Sequence, residues 1–377
     1  MLSLVRVIQT TWIAFVPAYF LLQLMGEYVV SMPVLISLAF PMDVLNGTGL
    51  FSVVGGWGVD YLICGFNALC AAFFIEDKAS RKQVGAALLA YSLSVITLWA
   101  ANLSPALIEH GRLNVVTVDN NLSFTRVTKI PYSIAEKEAI ESEMDTLTKQ
   151  AIAMKPELIV WPEGGNGLAN RQLQSRHKAF KQLAAISSYQ LLAGSKDYAN
   201  NGTERNVADF IVNGDFISQI EKSNPVPFLE SHVNRGDNGL ISVDGNTIGV
   251  NICFDIAFAQ ATNQLVNKGA AAIIVITNDS SFGYSALTYM HMRYAAVRAM
   301  ETGRDILFAS NTGPSIVITD KGVVQSGYIH ADGPRLFEHV VRTRSGSTIY
   351  RQAPALLSML VLILVVIYLM WIKRRCR

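Results

Sequence analysis

Apolar residues along this chain fall into two kinds of run. Towards the ends they are long and nearly uninterrupted; between them they come as short β-branched bursts separated by polar, amphipathic stretches. Residues 1–75 carry four charged side chains, Arg6, Glu27, Asp43 and Asp60, and residues 353–372, "APALLSMLVLILVVIYLMWI", carry none in twenty positions. A helix needs ~20 apolar residues to cross a hydrocarbon core, so 353–372 predicts a membrane helix. The N-terminal part reads as spans near 7–25, 29–45, 50–75 and 84–101, where Pro33 and Pro41 leave the second a broken or re-entrant piece. The count is therefore three or four. A cleaved signal peptide fits the first span poorly, since only Arg6 precedes it and further apolar segments follow. Lys and Arg in short loops set orientation. "EDKASRKQ" (76–83) and the tail "KRRCR" (373–377) concentrate them, so both are expected in the cytoplasm, which leaves 106–350 outside.

The interior has a different period. Apolar runs rich in β-branched residues recur at 113–118, 157–161, 190–195, 208–212, 247–253, 271–277, 305–310 and 315–320. Bounded by Gly, Asn and Pro, such runs read as buried strands. Residues 134–154 and 286–303 are helical in pattern, the second ending in Gly303 as a C-cap does. Strands alternating with helices predict an α/β layered domain. The chain thus divides into an N-terminal membrane region (1–105), an α/β domain (106–350) and a C-terminal helix with a basic tail (351–377). No internal repeat or low-complexity tract is evident.

Composition narrows the class. With 51% hydrophobic and 16% charged residues and a mean hydropathy of +0.31, the chain is too apolar for an ordinary soluble enzyme. Its net charge of +2 comes mainly from the membrane-flanking basic residues, and no basic stripe interleaved with aromatics points to nucleic acid. Four cysteines give no disulfide framework: Cys64 and Cys70 lie in an apolar span, Cys376 in the basic tail, and Cys253 alone in the interior domain. The sequence holds no G-x-S-x-G and no H-E-x-x-H, which removes the commonest serine-hydrolase and zinc-protease readings.

Candidate chemistry collects where the predicted strands end. "ELIVWPEGG" delivers Glu163, "DFISQIEKSNPVPF" Lys222, "TIGVNICFD" Cys253, and "IIVITNDSSFG" Asn278 and Asp279. Each residue alone has a plain structural explanation: a buried thiol, a solvated lysine, a turn. Together they suit acyl transfer. A carboxylate takes the thiol proton, and an ammonium lowers the thiol pKa and steadies the oxyanion of a tetrahedral intermediate.

The order Glu163, Lys222, Cys253 within "WPEGG", "EKSNPVPFLE" and "ICFDI" resembles the nitrilase (carbon–nitrogen hydrolase) superfamily. Within it, "GGWGVDYLICGFNALCAA" (55–72), residues 276–322 and "GSTIYRQAP" (346–354) resemble the apolipoprotein N-acyltransferases of bacterial membranes, over roughly residues 30–372. The resemblance implies an α-β-β-α sandwich on the outer, periplasmic face of the inner membrane, inserted between N-terminal membrane helices and one C-terminal membrane helix. It implies Cys253 as nucleophile, Glu163 as general base, Lys222 as oxyanion donor and Glu230 as a further glutamate of the active-site loop, with Asp255 and Asn278 in support. It implies a phospholipid acyl donor, a diacylglyceryl-cysteine lipoprotein as acceptor, a thioester intermediate, and no metal or organic cofactor.

This chain departs from that pattern in places. The family usually carries about seven N-terminal spans and a Gly before the loop glutamate, where this chain reads Leu229–Glu230. Gly239 follows Glu230 by only nine positions, against a long lipid-facing lid; Ser281 stands where Trp is usual, and Phe254 and Asp255 replace Tyr and Glu. Two other readings therefore stand beside the acyltransferase: a membrane-anchored amidase whose acceptor is water, and a silent scaffold. Intact Glu163, Lys222 and Cys253 argue against the scaffold.

Overall fold

The computed structural model of the protein describes residues 49–75, 78–100, 107–121, 134–165, 170–230, 232, 233, 235–283, 285–328 and 333–353. The predicted spans at 7–25 and 29–45, the basic tail, and all but the first residue of the predicted helix at 353–372 lie outside the described residues. The chain forms two compact units: residues up to Ala106 together with those from Ser347, and Leu107–Gly346.

In the first unit, α1 (Leu50–Ile75) and α2 (Lys78–Ala100) pack side by side. The Tyr91 hydroxyl donates to the Leu62 carbonyl at 2.8 Å. Helix α1 is kinked at Gly55 (φ +71°), where the ring of Tyr350 lies so near that a β-carbon would stand 2.4 Å from it. Only glycine combines that backbone with that contact. Among the described residues one stretch, Leu50–Ala71, is long and apolar enough to cross a membrane; α2 contributes a shorter apolar stretch, Val84–Thr97.

The second unit holds two six-stranded sheets. The first is built from β1 (Ile108–Asp119), β2 (Leu158–Trp161), β3 (Gln190–Tyr198), β4 (Glu204–Val212), β5 (Asp215–Glu221) and the last strand of the unit, Arg335–Ser345, which pairs antiparallel along β1 from Ile108↔Ser345 to Asp119↔Arg335. The second runs, in spatial order from its far edge, through Val324–Tyr328, Ser315–Ile318, Ile306–Asn311, Ala272–Asn278, Asn246–Ile252 and Gly239–Val243. These are β11, β10, β9, β8, β7 and β6, so the closing strand is β12. In each sheet three central strands are parallel, β1–β2–β3 and β7–β8–β9, with antiparallel strands at both margins.

Side-chain alternation makes the layers. Leu113, Val115, Leu158, Val160 and Leu192 face Ile248, Val250, Ile252, Ile274, Ile276 and Leu307 across the space between the sheets. Their neighbours Val116, Val118, Ile159, Trp161, Leu191 and Ala193 point the other way, onto Met144 and Ala151 of α3 (Ile134–Ala153) and Phe180 and Leu183 of α4 (Gln174–Ala184). On the far side α5 (Ala259–Asn267) lies over β7, and α6 (Ala286–Thr302) over β9 and β10. The result is an α-β-β-α sandwich. Each fully buried aliphatic side chain contributes roughly 1.5–3 kcal/mol, so the inter-sheet layer is the main source of cohesion.

All eight sequence-predicted strands are present, and α6 ends at Gly303 in the left-handed conformation its C-cap role requires (φ +66°). Four strands lie outside those eight runs: β5, read only as the strand end that delivers Lys222, and β6, β11 and β12, which were not anticipated. These are marginal strands whose faces alternate between core and solvent, as in β5 and β12, and so lack a continuous apolar run. Helices α4 and α5, of eleven and nine residues, were likewise not anticipated, being short for a periodicity argument.

Candidate active site

Four chain segments meet beyond the ends of β2, β5, β7 and β8. Pro162 stops β2, and Gly164 (φ +63°) turns the chain back, leaving Glu163 between them. The turn rests directly on β3 at Gly194, where a β-carbon would stand 2.0 Å from the Pro162 carbonyl. Gly194 thus lets the turn sit close enough for Glu163 to reach inward; the glutamate is buried, not solvated.

Lys222 follows β5 and is fully buried. Its backbone N–H donates to Asn206 at 2.9 Å and its carbonyl accepts from Gly236 at 2.9 Å, so both sides of the residue are pinned. Its ammonium lies 3.0 Å from Glu163 Oε1 and 2.9 Å from Glu230. Asn206 Nδ2 joins the same carboxylates, donating to Glu163 Oε1 at 2.7 Å and Glu230 Oε1 at 3.3 Å. Glu230 is itself anchored by the Val226 amide at 2.6 Å, inside the loop that Pro225 and Pro227 stiffen.

Cys253 is the first residue past β7 and opens a short 3₁₀ turn, Cys253–Ala257. It has a left-handed backbone (φ +52°), rare for a residue with a side chain. Such outliers gather at functional sites, where the surroundings hold them. Asp255, buried two residues on, accepts from Ile252 N at 3.1 Å, Ser223 Oγ at 2.8 Å, Asn224 N at 2.7 Å and Asn224 Nδ2 at 3.0 Å. One carboxylate thereby binds the turn carrying Cys253 to the loop carrying Lys222.

The charge balance differs from the sequence expectation. Burial, then the negative charge of Glu163, pushes the Cys253 thiol well above its ordinary value; Lys222 opposes this, and Glu230 and Asp279 add to it. For Lys222, burial acts downward, but Cys253, Glu163 and Glu230 outweigh it and hold the ammonium well above its usual value. Two carboxylates face one ammonium. The thiol therefore rests protonated beside a carboxylate, and is not a standing thiolate.

Residues 126–334, more than half of the chain, match the family model described as carbon–nitrogen hydrolase. The chain belongs to the carbon–nitrogen hydrolase family. Among characterised relatives it is similar to apolipoprotein N-acyltransferases. The one from Aquifex aeolicus is 28% identical over 48% of this chain and 45% of its own length. That from Brucella suis is 28% identical over 72% and 56%, and that from Thermotoga maritima 24% identical over 80% and 60%. The chain spans about half the length of these curated relatives. Among solved structures, Saccharomyces cerevisiae Nit3, of branch 10 of the nitrilase superfamily, superposes with a TM-score of 0.51 at 18% identity, over 66% of this chain and 95% of that one. An amidase from Nesterenkonia sp. AN1 gives 0.51 at 15% identity, over 65% and 93%. These structural likenesses establish a nitrilase-type fold.

The site thus brings together Glu163, Lys222, Glu230 and Cys253, with Asp255 bracing them. Asn278 does local work: its Oδ1 accepts from Ser280 N at 3.2 Å and Asn311 Nδ2 at 3.3 Å. Sequence reasoning missed Asn206 and His291. Asn206 sits near the start of β4, inside no motif, and only the pairing of β4 with β3 on one side and β5 on the other carries it to Glu163 and Lys222. His291 sits in a helix whose pattern read simply as helix, and its neighbour Asp279 read as turn chemistry.

Proposed function

We propose that this protein is a Cys-dependent acyltransferase of the apolipoprotein N-acyltransferase type, embedded in the inner membrane of a bacterium with its α/β domain (106–350) on the outer face. The observation that carries the reading is a buried ammonium, Lys222, shared by Glu163 and Glu230 within electrostatic reach of Cys253. Apolar exposure on α2, where Leu89, Leu93 and Ile96 recur at helical spacing, supports a lipid-facing surface.

In the first half-reaction Glu163 takes the Cys253 proton as sulfur attacks the ester carbonyl of a phospholipid. Concerted removal is what a protonated resting thiol requires. Lys222 spends two of its three N–H groups on the glutamates, and the third is the donor for the tetrahedral oxyanion; losing such a donor typically costs ~10²–10³ in rate. Collapse breaks the ester C–O bond. The departing alcohol of the lysophospholipid takes the proton back from Glu163, and the acyl group remains as a Cys253 thioester. In the second half, the α-amine of a diacylglyceryl-cysteine lipoprotein loses a proton to Glu163 and attacks the thioester carbonyl. Collapse breaks the C–S bond, yields the amide and returns the proton to the thiol. The residues supply every proton transfer without a cofactor.

One observation favours a hydrolase as the second reading. The segment from Glu230 to Gly239 is short, and it is tied down by hydrogen bonds from Glu221 N to the Asp237 carbonyl and from Gly236 N to the Lys222 carbonyl. A thioester must be kept from water until its acceptor arrives, and so short a cover shields it poorly. Loading the protein with labelled phospholipid separates the readings. Transfer of label to a diacylated lipopeptide, with little free acid in its absence, supports the acyltransferase; fast release of acid with or without lipopeptide supports the hydrolase. No label on Cys253 at all removes both.

A further inference from the structure

His291, near the start of α6, is buried between two oxygen atoms. Its Nδ1 lies 2.8 Å from Asp279 Oδ1, and its Nε2 lies 3.2 Å from the backbone carbonyl of Cys253. Carboxylate and carbonyl oxygens are acceptors, and a neutral imidazole carries one N–H, so it can satisfy only one of them. The doubly protonated ring satisfies both. Asp279 is fixed in turn: Ser310 Oγ donates to its Oδ2 at 3.0 Å and Thr277 Oγ1 to its Oδ1 at 3.3 Å. The rings of Phe308 and Phe282 meet the imidazole edge-to-face, at 5.2 and 6.3 Å, and leave it little freedom to turn.

The carbonyl that His291 holds belongs to the residue with the left-handed backbone. A side-chain-bearing residue adopts φ +52° when something over-determines it. Asp255 fixes the turn on the amide side, through Ile252 N. His291 is the corresponding tie on the carbonyl side.

We propose that His291 is a positioning residue which, as an imidazolium, clamps the Cys253 carbonyl to Asp279 and thereby holds the nucleophile in its strained, attack-ready conformation. The charged and titratable groups facing the ring are Asp279, from the turn after β8, and Glu163, from the end of β2, with the Cys253 thiol on the residue it grips. Burial pulls the imidazole down, but Asp279 outweighs it and the ring stays above the ordinary histidine value. The sign follows: the clamp is complete at low pH and is lost as pH rises through that raised value.

The inference rests on Cys253 being the reacting thiol, so its test avoids acyl chemistry. The full chain in detergent is treated with iodoacetamide from pH 5.5 to 9. Modification of Cys253 is followed by peptide mass analysis and normalised to a free cysteine peptide at the same pH. In the wild-type protein the normalised rate should fall as pH rises through the His291 titration. H291A should be slower by about tenfold or more at pH 6, the scale of a small misplacement of a reacting group, and should lose that fall. D279N, which removes the charge that keeps the second proton on the ring, should move the fall to lower pH by about one unit. A wild-type rate and profile in H291A, or an unmoved profile in D279N, overturns the proposal. Should H291A fail to fold, D279N and H291Q carry the test alone. Failure of the acyltransferase reading shows separately, as wild-type protein that alkylates normally but never accepts an acyl group.

Discussion

Lys222 donates to Glu163 at 3.0 Å with both side chains buried, and the same ammonium serves Glu230 at 2.9 Å. A cation and two carboxylates out of water depend on one another. Removing one partner of a buried ion pair typically costs 3–5 kcal/mol, because the remaining charge is stranded. K222A should therefore unfold several degrees below the wild type, measured by thermal melting in detergent, and should lose acyl loading altogether. A melting temperature equal to the wild type would mean that solvent reaches these glutamates.

Glu230 raises the Cys253 thiol through its charge. E230Q keeps the shape and removes the charge, so it should lower the thiol pKa and speed alkylation of Cys253 near neutral pH. Turnover should nonetheless drop, because Lys222 loses a partner that orients it. Slower alkylation in E230Q would show that the cluster does not set the state of the thiol.

Cys253→Ser removes little volume and leaves every backbone contact of the turn in place. Melting should stay within a few degrees of the wild type, and intact-mass analysis after incubation with phospholipid should show no acyl adduct. An adduct of the same mass in this variant would move the covalent chemistry to another residue.

His339 offers a pH signature away from the site. Its Nε2 meets Thr117 Oγ1 at 3.1 Å, while Nδ1 is buried with no partner, and burial pulls the ring down to about 4. The folded state takes it neutral, so stability present above the unfolded value of about 6.5 is lost as pH falls towards 4. The loss approaches ~3 kcal/mol at 1.36 kcal/mol per unit. Chemical denaturation at pH 7 and pH 4.5 should show the decline, and H339L should flatten it.

The sequence was most readable where the physics is one-dimensional. The inter-sheet strands, buried on both faces, appear as unbroken aliphatic runs, and Glu163 and Cys253 each stand one or two places past such a run, whereas Lys222 follows the mixed strand β5. Strands β5 and β12 present one face to solvent, and their polar positions broke the signal. Asn206 and His291 join the site only through partners 43 and 38 residues away, Glu163 and Cys253. No local pattern encodes that distance. The expected sign of the thiol shift also failed, since the lysine is visible in the sequence but its sharing between two carboxylates is not.

The pairing of β1 with β12 has a consequence for how the unit is made. Its first strand finds one neighbour, β2, soon after synthesis, but the partner for its other edge ends at Ser345, more than two hundred residues later. At about 5–20 residues per second, that edge waits roughly 10–50 s on the ribosome with its hydrogen-bonding groups unpaired. Open edges recruit other strands. For that interval the nascent chain is at its most vulnerable to mispairing, and the arrival of β12 is what ends it.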